Sequence, residues 1–247
     1  MPCSKRCTLI ALMSFFALLC CNPDSPQRIV DKAIAAHGGK KFEKVRIEFD
    51  FRGRHYTSTR DKGKFTYTRK FTDSTGHVKD ILTNDNFRRE INGNLATITE
   101  ERAQAFSNSV NSVIYFALLP YGLNDPAVRK SFLGESAIKD SVYHLIRVTF
   151  DEEGGGKDFE DVFLFWINPE NFRVDYFAYS YKSDGGGIRF REAINPRFVG
   201  DILFLDYNNF MPQSDTVTLN QMQELFEANA LKKLSVIQLE NIKVESL

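Results

Sequence analysis

Side chains that could do chemistry are few and widely spaced in this sequence. The four histidines, His37, His55, His77 and His144, form neither an H-x-x-x-H nor an H-E-x-x-H motif, so no pair has the spacing of zinc ligands. There is no G-x-S-x-G motif, no G-x-G-x-x-G motif and no P-loop. The sequence therefore predicts no metal and no cofactor, and it favours a binding protein over an enzyme.

The most polar feature is an acidic loop over residues 151–161, where carboxylates flank Gly154–Gly156. Oxygen-rich flexible loops can hold Ca²⁺, which is one interpretation of this segment. The spacing does not match an EF-hand, and a solvated loop between two strands explains the same residues. We expect the solvated loop.

A single acidic residue, Glu192, is the candidate for a buried acid. In a strand over 187–194, Glu192 shares a face with Phe190, while Arg191 lies on the opposite face. A carboxylate among apolar groups would have a raised pKa unless it is paired, and Arg173 or Arg197 could be its partner. A hydrolase acting through Glu192 and the loop carboxylates is the enzymatic alternative.

The N-terminus has the pattern of an export signal. Lys5 and Arg6 precede residues 7–21, a run of 15 residues without charge that is too short to span a bilayer. Its end resembles the lipobox of bacterial lipoproteins, in which the acylated residue would be Cys21 rather than Cys20. The sequence thus predicts a lipoprotein signal peptide over 1–21, with an acyl chain on Cys21, and a single folded domain over 22–247.

Composition excludes some partners and indicates the fold class. Lys+Arg and Asp+Glu both number 32, so no net charge selects nucleic acid, and all four cysteines lie within the first 21 residues, so the domain has no disulfide framework. The 22 phenylalanines favour strands.

Periodicity predicts the elements. A helix should begin at Ser25-Pro26 and end at Gly38-Gly39, a second should follow Thr99 and end before Pro120, and a third should cover 219–230. Short strands with hairpin-length spacing fill the rest, which excludes parallel crossovers. The predicted strands are 45–51, 54–60, 64–71, 77–83, 87–91, 95–99, 131–138, 142–150, 162–167, 173–181, 187–194, 202–210 and 235–244.

Residues 162–167 are apolar at all six positions, so this strand must be covered on both faces. With so few helices, the fold class that fits is α+β, mostly β: a strongly curved antiparallel sheet, a half-barrel, wrapped around a few helices. A plain sandwich is the alternative. The candidate residues for an apolar cavity between sheet and helix are Tyr115, Phe116, Leu118, Leu119, Phe163, Phe165, Trp166, Phe177 and Phe190.

Residues 27–244 resemble an uncharacterised family of Gram-negative envelope lipoproteins, most clearly over 111–128, 148–156 and 179–197. The layout is distantly similar to the lipoprotein-carrier (Lol-type) superfamily, through residues 142–150 and 162–181. These resemblances imply a protein of the cell envelope, anchored by its N-terminal lipid in the outer membrane and facing the periplasm. The second resemblance also implies a half-barrel that encloses acyl chains.

Two functions follow as hypotheses. The first is a non-catalytic lipoprotein that binds a lipid, an acyl chain or another apolar small molecule inside the half-barrel. The alternative is a structural or assembly lipoprotein with a solid core, whose outer surface binds envelope proteins that the sequence does not identify. An apolar void of several hundred Å³ would separate the two.

Overall fold

The computed structural model describes residues 25–247, so the predicted signal peptide and Cys21 lie outside the described residues. Three helices are present there: α1 (Pro26–His37), α2 (Glu100–Ala117) and α3 (Met222–Glu227). The strands are β1 (Lys44–Phe51), β2 (Arg54–Asp61), β3 (Lys64–Asp73), β4 (Gly76–Thr83), β5 (Phe87–Ile91), β6 (Asn94–Leu95), β7 (Val128–Ile138), β8 (Ser141–Phe150), β9 (Val162–Ile167), β10 (Val174–Tyr181), β11 (Gly187–Val199), β12 (Ile202–Met211), β13 (Lys232–Ile237) and β14 (Glu240–Ser246).

The helix ends follow local chemistry. The Ser25 hydroxyl accepts a hydrogen bond from the Arg28 N–H at 3.3 Å, Pro26 occupies the first turn, and Gly38 ends α1 at a φ of 142°. The Thr99 hydroxyl caps α2 by accepting from the Arg102 N–H at 3.4 Å. Both predicted starts are confirmed.

The strands form two seven-stranded antiparallel sheets. The order is β14-β1-β2-β3-β4-β5-β6 in the first sheet and β13-β12-β11-β10-β9-β8-β7 in the second. Because β13 pairs with β12 and β14 pairs with β1, the C-terminal segment contributes to both sheets and joins them edge to edge. The result is the open, mostly-β half-barrel that the sequence predicts.

The helices cover different parts of this wall. On the inner face, α1 packs its Ile29, Val30 and Ala33 against the second sheet, and α2 packs Val110 and Ile114 against the first. On the outer face, α3 covers the second sheet with Met222 and Phe226. The central strands are therefore buried on both faces, as their apolar sequence requires.

A buried ion network connects α2 to the first sheet. The Asp80 carboxylate is fully buried and accepts hydrogen bonds from Arg69 Nε at 2.9 Å and Arg89 Nε at 2.7 Å. Arg69 Nη1 donates to the Ser109 hydroxyl of α2 at 2.8 Å, and the Arg89 guanidinium lies 3.4 Å from the centre of the Phe106 ring. One carboxylate thus orients two arginines that hold the helix.

Several predicted elements differ in extent, and β11 for example continues to Val199. The strand predicted over 95–99 is only Asn94–Leu95, because the cap of α2 takes over at Thr99. The helix over 219–230 is a 3₁₀ turn followed by the six residues of α3. The strand over 235–244 is broken after Ile237, since its two halves pair with different sheets.

Candidate functional site

A cavity of about 680 Å³ lies between α2 and the half-barrel. Its walls are one side of α2, the β2–β3 hairpin, the loop between β8 and β9, and the adjoining ends of β9 and β10. This volume is in the range of small-molecule binding sites. The cavity opens to solvent and is lined by polar as well as apolar groups, so it is a cleft beside the packed inner core rather than a closed apolar void.

The floor of the cavity is apolar and aromatic. Ile114, Leu118, Phe163 and Tyr179 line it and are buried. The Phe116 ring projects from α2 towards the second sheet, with its centroid 6.1 Å from that of Phe163 and 5.1 Å from that of Tyr179. Such a surface is suited to hydrocarbon.

The rim is polar. Exposed Asn84, Lys157 and Asp158 line the opening, together with Asn108 from α2. An apolar floor under a polar rim is the arrangement expected for a ligand with a hydrocarbon part and a polar end. The sequence predicts only the apolar part, so the mixed lining is a finding of the structure.

Several polar groups of the cavity wall lack ordinary partners. Arg60 donates through Nη2 to the Tyr67 hydroxyl and stacks 4.8 Å from the centre of the Tyr121 ring, but its Nε has no hydrogen-bond partner among residues 25–247. The hydroxyl of Tyr115 is buried and likewise unpartnered in that range. Burial raises the pKa of Tyr67 to about 12 and raises that of Tyr115 further still.

Two carboxylates lie near the Tyr115 hydroxyl. Their charges add to the effect of burial on the pKa of Tyr115; they belong to Asp125 and Asp161. Burial, followed by the charges of Asp158 and Glu160, raises the pKa of Asp161 to about 6. Its Oδ1 has no hydrogen-bond partner in the described part of the chain. The cavity thus has one wall of incompletely satisfied polar groups.

The acidic loop forms part of this rim. Gly154–Asp158 line the cavity, whereas Asp151 pairs with Arg129 and Glu160 pairs with Lys182 at 2.6 Å. Between residues 25 and 247, no three side chains of His, Cys, Asp or Glu converge in a way that could hold a metal ion. The loop is mostly exposed, in agreement with the expected solvated loop.

The predicted cavity residues fall into three groups. Tyr115, Phe116, Leu118 and Phe163 line the cavity. Leu119, Phe165 and Phe177 belong to the inner apolar cluster beneath it but do not line it.

Two further candidates, Trp166 and Phe190, are on the wrong face. They pack against α3 on the outer side of the second sheet, with ring centroids 5.6 Å apart. The physical reason is the alternation of side chains along a strand, which places Trp166 opposite its neighbour Phe165. In a strand that is apolar at every position, composition does not show which face is the inner one.

The interpretation of Glu192 also needs correction. Burial alone would raise the pKa of Glu192, but hydrogen bonds from Lys139 Nζ at 2.8 Å and Asn208 Nδ2 at 2.9 Å outweigh it and lower that pKa. The expected partners are occupied elsewhere, since Arg173 pairs with Asp175 and Arg197 with Asp206. Glu192 is a partly exposed ion-pair residue on the outer face, away from the cavity.

Each histidine has a contact within the domain. His37 is buried and its Nδ1 donates to the Ala33 carbonyl at 2.8 Å, while His144 packs against the rings of Phe132 and Phe172. His55 contacts Asp50, and His77 contacts Thr72. None lines the cavity.

The polar wall residues Arg60, Tyr67, Asp125 and Asp161 were not predicted as a site. They come from distant parts of the chain and carry no common motif, so only the tertiary structure brings them together. The nearest signal in the sequence was the acidic loop that ends at Asp161. No helix within residues 25–247 has the length and apolar character needed to cross a membrane.

A protein of known structure has a similar fold. A DUF1329 family protein from Desulfovibrio piger is 11% identical, and the alignment covers 88% of this chain and 92% of that one with a TM-score of 0.51. A LolA superfamily protein from Nitrosomonas europaea aligns over 90% of this chain and 94% of that one, at 14% identity and a TM-score of 0.49. The lipoprotein LppX from Mycobacterium tuberculosis aligns over 64% and 91%, at 10% identity and a TM-score of 0.30.

Sequence comparison gives the family. No curated protein matches this chain at a significant level. The profile of the Family of unknown function (DUF6503) matches residues 5–240, nearly the whole length. The chain therefore belongs to DUF6503.

Proposed function

We propose that this protein is a non-catalytic envelope lipoprotein that binds an apolar ligand, a lipid or an acyl chain, in the cavity beside α2. The observation that supports the proposal is a cavity of about 680 Å³ with an apolar floor inside a half-barrel. A hydrocarbon chain would contact Ile114, Phe116 and Phe163 and would remove their apolar surface from water. The alternative function, a scaffold with a solid core, does not require a cavity at this position.

The tether is part of the proposal. Acylation of Cys21 would hold the domain at a membrane of the envelope through a short polar segment before α1. Outer-membrane placement, facing the periplasm, rests on the family resemblance. Mass spectrometry of the N-terminal peptide of the mature chain tests the tether, and a Cys21 thiol without acyl mass would contradict it.

Ligand binding is tested by filling the cavity. Ser112 of α2 is exposed and lines the cavity, so Ser112→Trp adds bulk there without removing a core side chain. Ala105, also exposed on α2 but away from the cavity, gives the matched control Ala105→Trp. We expect S112W to weaken binding of the neutral fluorescent probe N-phenyl-1-naphthylamine at least tenfold, about 1.4 kcal/mol, and A105W to leave it unchanged.

Native mass spectrometry with organic extraction provides a second measurement. The wild-type domain should carry a co-purified apolar molecule, and S112W should carry less of it. Failure of the wild-type protein to bind the probe, together with an empty extract, would contradict the proposed function. Equal binding by both tryptophan variants would place the ligand outside this cavity.

A further inference from the structure

Arg191 differs from the other buried arginines of the domain. Arg69 and Arg89 both pair with Asp80. Arg191 is only 8% exposed, yet no carboxylate between residues 25 and 247 lies within 4 Å of it. Its single hydrogen bond runs from Nη2 to the Tyr179 hydroxyl at 3.0 Å, and its Nε has no partner in the same range.

Aromatic rings surround this guanidinium. Its central carbon lies 4.4 Å from the centre of the Phe116 ring and 5.4 Å from those of Phe177 and Tyr179. On the neighbouring strand, Asn209 stands directly opposite Arg191 and has an unpartnered Oδ1 within the described residues. Two buried polar side chains with unmet hydrogen-bonding capacity therefore lie side by side on the inner face.

This group adjoins the candidate cavity. Phe116 and Tyr179, two of the residues that contact Arg191, also line the cavity. Arg191 thus lies one side chain behind the cavity wall, and a rotation of the partly exposed Phe116 ring would open a path to it. A row of polar side chains crosses the inner face at this point, formed by Tyr179, Arg191 and Asn209. Next to it, the Ser235 hydroxyl accepts a hydrogen bond from Asn209 Nδ2 at 3.4 Å.

A buried guanidinium without a counter-ion is unfavourable. Cation–π contacts offset part of the desolvation, but they leave the Nε–H without an acceptor. Burial lowers the pKa of Arg191, which reflects the same cost. An anionic oxygen would both neutralise the charge and accept this hydrogen bond, and arginine is the side chain best shaped to bind carboxylate or phosphate.

We propose that the ligand is an anionic amphiphile whose carboxylate or phosphate headgroup pairs with Arg191 while its hydrocarbon chain occupies the cavity. This inference rests on the proposed function and gives the ligand its chemical class. The rings of Phe116, Phe177 and Tyr179 would surround the ion pair and exclude water from it.

The test compares three ligands with the same chain: hexadecanoate, hexadecyl phosphate and hexadecanol. Wild-type protein should bind at least one of the anions ten times more tightly than the alcohol, and the preferred anion identifies the headgroup. Arg191→Met should abolish the preference, so that anions and alcohol bind alike. The control Arg189→Met should keep it, since Arg189 stands on the same strand but is partly exposed and donates to the neighbouring Ile188 carbonyl.

A second variant guards against misfolding. Arg191→Lys keeps the charge and should retain a preference for anions, reduced by the loss of the planar fork. Equal affinity of wild-type protein for all three ligands would overturn this inference and leave the proposed function standing. Retention of the preference by R191M would also overturn it, and failure to bind any of the three would count against both proposals.

Discussion

At the scale of single residues, His37 shows what burial does to a titratable group. It ends α1 with its ring completely buried, and its Nε2 has no hydrogen-bond partner among the described residues. Burial lowers the pKa of His37 to about 4, although its hydrogen bond to the Ala33 carbonyl acts in the opposite direction. The folded protein therefore keeps this imidazole neutral.

This predicts a pH dependence of stability. In the unfolded chain His37 has its ordinary pKa of about 6.5, so it becomes protonated below that pH. In the folded chain the same imidazole stays neutral down to a lower pH. Stability should therefore fall as the pH decreases from about 6.5 to about 4, by up to about 3 kcal/mol from this group. His37→Leu should remove that part of the slope in urea unfolding measured across this range.

The control is His77→Leu, since His77 is exposed on β4. Its slope should match that of the wild-type protein. If H37L kept the full wild-type slope, the loss of stability at low pH would have to come from other groups.

The residue scale also separates the apolar from the polar part of the cavity. Phe116 and Phe163 were predictable from apolar runs, because an apolar strand or helix must be covered on every side. The groups of Arg60, Asp161 and Arg191 that have no partner among residues 25–247 were not, since a charged residue is expected to be exposed until its neighbours are known. The apolar lining can therefore be predicted from the sequence, whereas the charged groups near the cavity are identified only from the tertiary structure.

At the scale of elements, the hairpin turns hold the strands in register. The β11–β12 turn places Gly200 at a φ of +56° and Asp201 at +61°, the left-handed pair of a two-residue turn. A Cβ on Gly200 would lie 2.8 Å from Cβ and Cγ1 of Val244 in β14. This turn is therefore in direct contact with the last strand.

A pair of variants separates strain from contact. Gly53, in the β1–β2 turn, has a φ of +69°, and a methyl group added to its Cα would have no neighbouring atom within 4 Å. Gly53→Ala should therefore cost only the left-handed backbone strain, about 1 kcal/mol. Gly200→Ala should cost a further 1–3 kcal/mol, roughly, because Val244 must move. Urea unfolding measures the loss of stability in both variants. An equal loss would show that Val244 in β14 moves aside at no cost in stability.

At the scale of the whole molecule, the two sheets meet at a junction around Leu239. The Leu239 N–H donates to Asp206 Oδ1 at 3.0 Å, and its carbonyl accepts from Arg197 Nη2 at 2.7 Å. The same Arg197 nitrogen pairs with Asp206 Oδ1 at 2.9 Å, and Asp206 is 2% exposed. One ion pair in the second sheet thus holds the chain where it passes into the first.

Asp206→Asn should loosen this junction. It leaves Arg197 without its counter-ion and weakens the hydrogen bond to Leu239, so we expect a loss of about 3 kcal/mol. Amide hydrogen exchange should accelerate over residues 240–246, which pair with β1. The matched control is Asp201→Asn, because Asp201 pairs with Lys41 at the surface and its side chain is 82% exposed.

Such an exposed pair contributes little, so D201N should leave stability and exchange unchanged. Unchanged exchange over 240–246 in D206N would mean that the strand pairing alone maintains the junction.

The sequence by itself determined the local structure and the fold class. Residues close together in the chain decide where strands alternate and where helices begin, as at the caps Ser25 and Thr99. An apolar run such as 162–167 shows from its composition that the strand is buried. The same reasoning left open whether the apolar end of α2 is packed core or one wall of a cavity.

Only the tertiary structure decided which faces and partners meet. It placed Trp166 and Phe190 on the outer face, paired Glu192 with Lys139 and divided the C-terminal segment between two sheets. It also left Arg191 without a counter-ion among residues 25–247. The physical reason is that these outcomes depend on strand register and on contacts between residues far apart in the chain. Local propensity and periodicity carry no information about such contacts.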